Sequence, residues 1–174
     1  MSLPIFLIGA RGCGKTTVGE LLAQGLGYAF RDTDHYLQHS TGKTVAEIVA
    51  AEGWEGFRRH ESEALSAVTA PETIIATGGG MVLAETNRRF MQERGQVIWL
   101  QASATVLAAR LAHYPQTSQR PTLTGRSITE EVAEVLDERA SLYQQTAHHM
   151  IDAMQVPQLI VAQILSALSL AHAS

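Results

Sequence analysis

Lysine is almost missing from this sequence. Of its 174 residues only Lys15 and Lys43 carry that side chain, so most cationic work must fall to arginine. The guanidinium is a rigid fork that grips carboxylates and phosphates through two hydrogen bonds at once. Cysteine is scarcer still: Cys13 stands alone, which excludes an internal disulfide and fits a reducing compartment. No apolar run approaches the ~18 residues that would span a bilayer. The N-terminal run is short and has no basic flank, so the expectation is a cytoplasmic protein without a membrane partner. A basic surplus is absent too; the net charge of −4 argues against nucleic acid as a partner. The single asparagine, Asn87, is followed by Arg88, which excludes the N-K-x-D guanine motif of a GTPase switch.

What is present is a globular composition, 45% hydrophobic and 17% charged, in a length that favours one domain over residues 1–174. Near its start, Gly9-Ala10-Arg11-Gly12-Cys13-Gly14-Lys15-Thr16 fits G-x-x-x-x-G-K-[ST], the phosphate-binding loop. An apolar run precedes it and a helical pattern follows, the strand-to-helix context the motif requires. Backbone N–H groups of Gly12, Cys13, Gly14 and the helix start at Thr16 and Thr17 would cradle phosphate oxygens. Lys15 would reach the β- and γ-phosphates, and the Thr16 hydroxyl would ligate Mg²⁺.

Strand and helix patterns alternate along the chain, which predicts an α/β fold with a parallel sheet. Strands are expected near 4–8, 28–33, 73–77, 96–101 and 149–153. Helices are expected near 14–26, 35–40, 45–51, 53–69, 85–94, 104–113, 127–147 and 156–171. Gly27 reads as a helix-ending glycine, Thr44 with Glu47 and Ser127 with Glu130 as capping boxes, and Pro157 as a first-turn proline. Residues 114–126, with Pro115, Pro121 and Gly125, read as a loop of about a dozen residues, a length typical of lids.

The remaining chemistry sits at strand ends or on helices that face them, where open α/β sheets bind ligands. Asp32-Thr33-Asp34 ends the second strand. One reading gives Asp32 a water-mediated contact to Mg²⁺ and Asp34 a contact to an acceptor hydroxyl; the other makes Asp34 a helix N-cap. Arg58 lies four residues after Trp54 and seven before Leu65, on an apolar stripe with Glu61. It is either a structural pair with Glu61 or an anion contact that Glu61 orients. Arg139 repeats the anomaly among Val132, Leu136, Leu142 and Tyr143. Two arginines on inward faces of a phosphate-binding protein point to a carboxylate-bearing substrate. Gly78-Gly79-Gly80 permits close backbone approach to a ligand. No acidic residue ends this strand in the usual position, so metal binding rests on Thr16 and Asp32. Arg120, in the long loop, is either a solvated charge or a side chain that closes over the γ-phosphate. Arg110 either stacks on adenine or is a helix C-terminal charge. Cys13 shows no sign of nucleophilic use, and His148-His149 reads as structural or exposed.

Taken together, the phosphate loop, the D-T-D, the F-R-x-x-E of Phe57 to Glu61, the G-G-G and the R-P-T-L at Arg120 closely resemble the shikimate kinase family, over nearly the whole chain. The resemblance implies a P-loop fold of the nucleoside-monophosphate-kinase-like group. Its five-stranded parallel sheet would have order 2-3-1-4-5 between helical layers, with a substrate-binding region at about 33–61 and a lid at about 112–126. The implied reaction is ATP plus shikimate giving ADP and shikimate 3-phosphate, in aromatic amino-acid biosynthesis, by a monomer. Carried over position by position, shikimate contacts fall on Asp34, Arg58, Gly79 or Gly80, and Arg139. The lid arginine falls on Arg120, the adenine-side arginine on Arg110 with a further contact near Gln155, and the Mg²⁺ ligand on Thr16 with Asp32 through water.

Overall fold

The computed structural model describes residues 3–112 and 128–173. Five strands form one sheet: β1 (Ile5–Ile8), β2 (Ala29–Asp32), β3 (Thr73–Ala76), β4 (Gln96–Gln101) and β5 (His149–Asp152). Their order is β2-β3-β1-β4-β5, as the resemblance implied, and every pairing is parallel. The helices are α1 (Lys15–Leu26), α2 (Thr33–Thr41), α3 (Val45–Val68), α4 (Glu85–Arg94), α5 (Ala104–Ala112), α6 (Ile128–Thr146) and α7 (Pro157–Ala173).

Both central strands β1 and β3 are buried along their whole length, which is why they read as continuous apolar runs. Alternate residues of β1 serve opposite layers. Ile5 and Leu7 pack with Val18 and Leu22 of α1 and Ile160 and Ile164 of α7. Phe6 and Ile8 pack with Leu65 and Val68 of α3, Met91 of α4 and Tyr143 of α6. A smaller core of Leu37, Val45, Ile48 and Phe57 joins α2 to α3.

Helix ends follow the local chemistry. Thr44 and Glu47 make both halves of their capping box, at 3.1 and 3.0 Å. Gly27 closes α1 with φ 70°, a conformation that favours glycine. The two helices expected at 45–51 and 53–69 run on as α3, broken at Gly53, whose φ of 73° and ψ of 175° are not helical. The sequence reading missed a short 3₁₀ turn, Met81–Leu83, directly after the triple glycine. It is anchored by the Asn87 amide, which donates to Met81 O at 3.1 Å. Ser127 and the 114–126 loop lie outside the described residues.

Candidate active site

The phosphate loop turns between β1 and α1. A methyl group at Gly9 would sit 2.7 Å from Leu100 O, so only glycine fits under β4 there. In this structure Lys15 Nζ donates to the loop's own carbonyls, Gly9 O at 2.6 Å and Ala10 O at 3.1 Å. Its Nζ also lies 3.7 Å from the buried Cys13 Sγ. Gly12, Gly14, Lys15, Thr16 and Thr17 line a cavity of about 530 Å³ that runs past Asp32 and Asp34 to Arg110 and Gln155. Arg110 ties the cavity's two rims, donating to Ala153 O at 2.9 Å and to Gly12 O at 3.4 Å. Arg110 thereby bridges α5 to the phosphate loop and to the segment after β5.

The D-T-D sorts differently from the helix-cap alternative. Asp32, not Asp34, caps α2: its Oδ1 accepts from the N–H groups of Asp34 at 2.9 Å and His35 at 3.1 Å. Its other oxygen accepts from the Thr16 hydroxyl at 3.1 Å. A hydroxyl and a carboxylate oxygen side by side suit a hard cation such as Mg²⁺, which keeps several waters and takes only one or two protein ligands. Among the described residues, no group of three or more His, Cys, Asp or Glu side chains is placed to hold a metal ion. Asp34, relieved of capping, lies in the first turn of α2 and faces the triple glycine.

Each of the three glycines lies under a different functional side chain. A methyl group at Gly78 would meet Glu61 Oε2 at 2.6 Å and Asp34 Oδ1 at 3.2 Å. At Gly79 it would approach Arg139 Nη1 at 3.7 Å. At Gly80 it would overlap the Arg58 guanidinium. Arg58 is held by Glu61 at 2.9 Å, with its charge over the rings of Trp54 and Phe57, each centroid 5.3 Å away. Glu61 is only 2% exposed, and the Arg58 guanidinium compensates this buried carboxylate. The Arg58–Glu61 pair is therefore built, and it faces a cavity.

That second cavity, about 70 Å³, is lined by Arg58, Arg139, Gly79, Gly80, Tyr143 and the apolar faces of Trp54 and Phe57. Arg139 is 8% exposed, and its Nε has no hydrogen-bond partner among the described residues. Burial, and then the nearby Arg58 charge, push its pKa down; the neighbouring Tyr143 opposes them. A buried guanidinium beside a second cation makes a site which an anion relieves. Arg11 and Gly79 wall both cavities, so the two chambers meet across them. Arg120 lies outside the described residues.

Sequence reasoning missed Tyr143 and Arg11 as members of this site. Tyr143 looked like core because it continues an apolar stripe; its spacing of four from Arg139 was the available signal. His148, read as structural or exposed, is structural: its Nδ1 accepts the Val97 N–H at 2.9 Å while its own N–H donates to Val97 O at 2.8 Å.

A family model described as Shikimate kinase matches residues 11–169. A curated relative named Shikimate kinase 2, from Erwinia tasmaniensis, is 66% identical over 174 residues and covers 100% of both chains. Its namesake from Pectobacterium carotovorum is 61% identical over 173 residues, covering 99% of this chain and 100% of its own. Among solved structures, shikimate kinase from Acinetobacter baumannii in complex with shikimate is similar with a TM-score of 0.86 and 34% identity. It matches over 96% of this chain and 95% of that one.

Proposed function

The chain belongs to the shikimate kinase family, and from that membership we propose how its own residues carry a phosphoryl group from ATP to the 3-hydroxyl of shikimate. The observation that carries the assignment is the convergence of Asp34, Arg58 and Arg139 on the triple glycine, next to the phosphate loop. Arg58 and Arg139 hold the acceptor carboxylate. Asp34 accepts a hydrogen bond from the attacking hydroxyl and fixes its direction, with the Gly79 and Gly80 backbone beneath the ring. The nucleotide lies along the larger cavity, phosphates on Gly12 to Thr17 and adenine toward Arg110 and Gln155.

Lys15 exchanges the Gly9 and Ala10 carbonyls for phosphate oxygens when nucleotide enters. Thr16 and Asp32 are the residues that would hold Mg²⁺; when bound, the ion neutralises charge on the phosphates. Arg120, from the 112–126 segment, is assigned to the transferring phosphoryl group. The shikimate oxygen forms its bond to the γ-phosphorus as the bond to the ADP oxygen breaks in line, and the hydroxyl proton passes late to the Asp34 carboxylate that accepts its hydrogen bond. In so loose a transition state, placement and charge outweigh base strength. Asp34 therefore acts chiefly by orienting the hydroxyl. The reading takes the protein as a monomer. The lone cysteine supports a cytoplasmic setting. No described helix is long and apolar enough to cross a membrane.

The test is ADP release with shikimate, gluconate or AMP as acceptor. Turnover is expected with shikimate alone, and Arg139→Ala is expected to impair shikimate use while leaving ADP binding nearly intact. Absence of shikimate-dependent turnover would refute the reading. So would an Arg139→Ala enzyme that loses ADP affinity and keeps shikimate affinity.

A further inference from the structure

Tyr143 is 1% exposed, and its ring packs on Trp99 with centroids 5.6 Å apart, as a core tyrosine should. Its hydroxyl points elsewhere, donating to Gly79 O at 2.6 Å. Burial pushes the phenol pKa up to about 12, so the group remains a donor at neutral pH. A phenol has one proton to give. With that proton committed to Gly79, the oxygen can serve only as an acceptor toward Arg139, which lines the same chamber with its Nη1 over Gly79. None of the described peptide bonds is cis. Fixing the Gly79 carbonyl therefore also fixes the Gly80 N–H, which points the opposite way across the same plane.

One buried hydroxyl thus joins two parts of the acceptor chamber that have no covalent link: the peptide between Gly79 and Gly80, and the guanidinium on α6. Neither is rigid alone. The bond from Met81 N–H to Gly78 O at 3.1 Å closes a turn around the two glycines but leaves its central peptide able to flip, and Arg139 Nε has no hydrogen-bond partner among the described residues.

We propose that Tyr143 is a positioning residue for the acceptor: through its hydroxyl it sets the Gly79–Gly80 peptide and the Arg139 guanidinium in register with each other. The proposal rests on the reading of Gly79, Gly80 and Arg139 as shikimate contacts. It assigns Tyr143 to shikimate affinity and not to nucleotide binding.

Tyr143→Phe keeps the ring and removes only the hydroxyl. Steady-state kinetics and calorimetric titration should show KM and Kd for shikimate raised roughly 10-fold, the effect of one hydrogen bond of about 1.4 kcal/mol. KM for ATP should stay within about twofold. Combined with Arg139→Lys, the loss should be smaller than the product of the two single effects, because each variant disrupts the same register. Tyr143→Met, which retains buried volume without a hydroxyl, gives the same readout should the Phe variant fail to fold.

Arg139→Ala is measured beside them. If Arg139→Ala leaves shikimate affinity unchanged, the acceptor reading itself falls. If Arg139→Ala weakens shikimate while Tyr143→Phe does not, the acceptor reading stands and Tyr143 is core alone. A Tyr143→Phe enzyme that loses ATP and shikimate affinity in parallel also overturns the proposal, since general loosening would then explain it.

Discussion

Replacing Gly80 by alanine adds one methyl group at the point where the acceptor arginine meets the glycine floor. The backbone does not resist: φ at Gly80 is −96°, which any residue adopts. The methyl carbon would overlap Nη1 and Cζ of the Arg58 guanidinium, Nη1 being the nitrogen that Glu61 holds, with Nη2 next at 2.7 Å. Ordinary contact needs about 3.5 Å, so the guanidinium must retreat by more than about 1 Å. Because it is the far end of a flexible side chain, the move costs little stability. The Arg58–Glu61 contact at 2.9 Å is strained or re-formed at a new angle, a loss of about 1–2 kcal/mol. At about 2–4 °C per kcal/mol for a chain of this size, the melting temperature falls by only a few degrees. Function is less forgiving, since a misplacement of about 1 Å in a positioning group costs up to ~100-fold. We expect kcat/KM for shikimate to drop roughly 100-fold, about 2.7 kcal/mol of transition-state stabilisation. Nucleotide affinity should be unchanged, because Gly80 walls the acceptor chamber and not the phosphate cavity. The assay pairs ADP-release kinetics with an ADP titration and a thermal melt. Unchanged shikimate kinetics, or ADP affinity that falls in step with them, would refute the placement of Arg58.

Gly53→Ala should destabilise the protein by about 1–3 kcal/mol through backbone strain alone, since no atom lies within 4 Å of the added methyl; a denaturant midpoint equal to wild type would contradict this. His148 is held neutral, its pKa lowered by burial and then by His149, and protonation at Nδ1 would break its bond from Val97 N–H. The unfolded chain takes up that proton first, so stability is full above about pH 6.5 and declines as pH falls toward the lowered folded value. His148→Asn offers an acceptor that does not titrate and should flatten the slope of unfolding free energy between pH 7 and about 5; parallel slopes would exclude His148 as the source. Arg120→Ala should lower kcat far more than either KM, and an unchanged kcat would remove that residue from the chemistry.

The phosphate loop was fully legible in the sequence because its spacing is itself the geometry: eight consecutive residues fold onto themselves. The inward arginines were legible as anomalies, charge on apolar stripes, although periodicity alone could not separate a structural pair from a ligand contact. Arg58 turns out to be a pair presented to a cavity, which no local pattern distinguishes. The division of labour within Asp32-Thr33-Asp34 was not legible, because either aspartate can cap a helix and the choice depends on where α2 begins. The role of the three glycines was visible only as permission for close approach. What each one lies beneath is set by Asp34, Arg58, Glu61 and Arg139, which tertiary packing brings from α2, α3 and α6. Tyr143 was hidden for a related reason: hydrophobic patterning reports where a ring goes and is silent about its hydroxyl.

The strand order has a consequence for how the molecule is made. The central strand is translated before the other four, yet Ile5 pairs with Ile74 on one side and Gln96 on the other. At about 5–20 residues per second, β1 waits several seconds for its neighbours. Through that interval an all-apolar segment, Ile5–Ile8, has both edges open. Long-range parallel pairing is slow to close even once all the parts exist. The nascent chain is therefore most exposed to misassembly and to chaperones at β1. The phosphate loop that follows β1 is translated long before β4, whose Leu100 carbonyl sits over Gly9 in the finished fold.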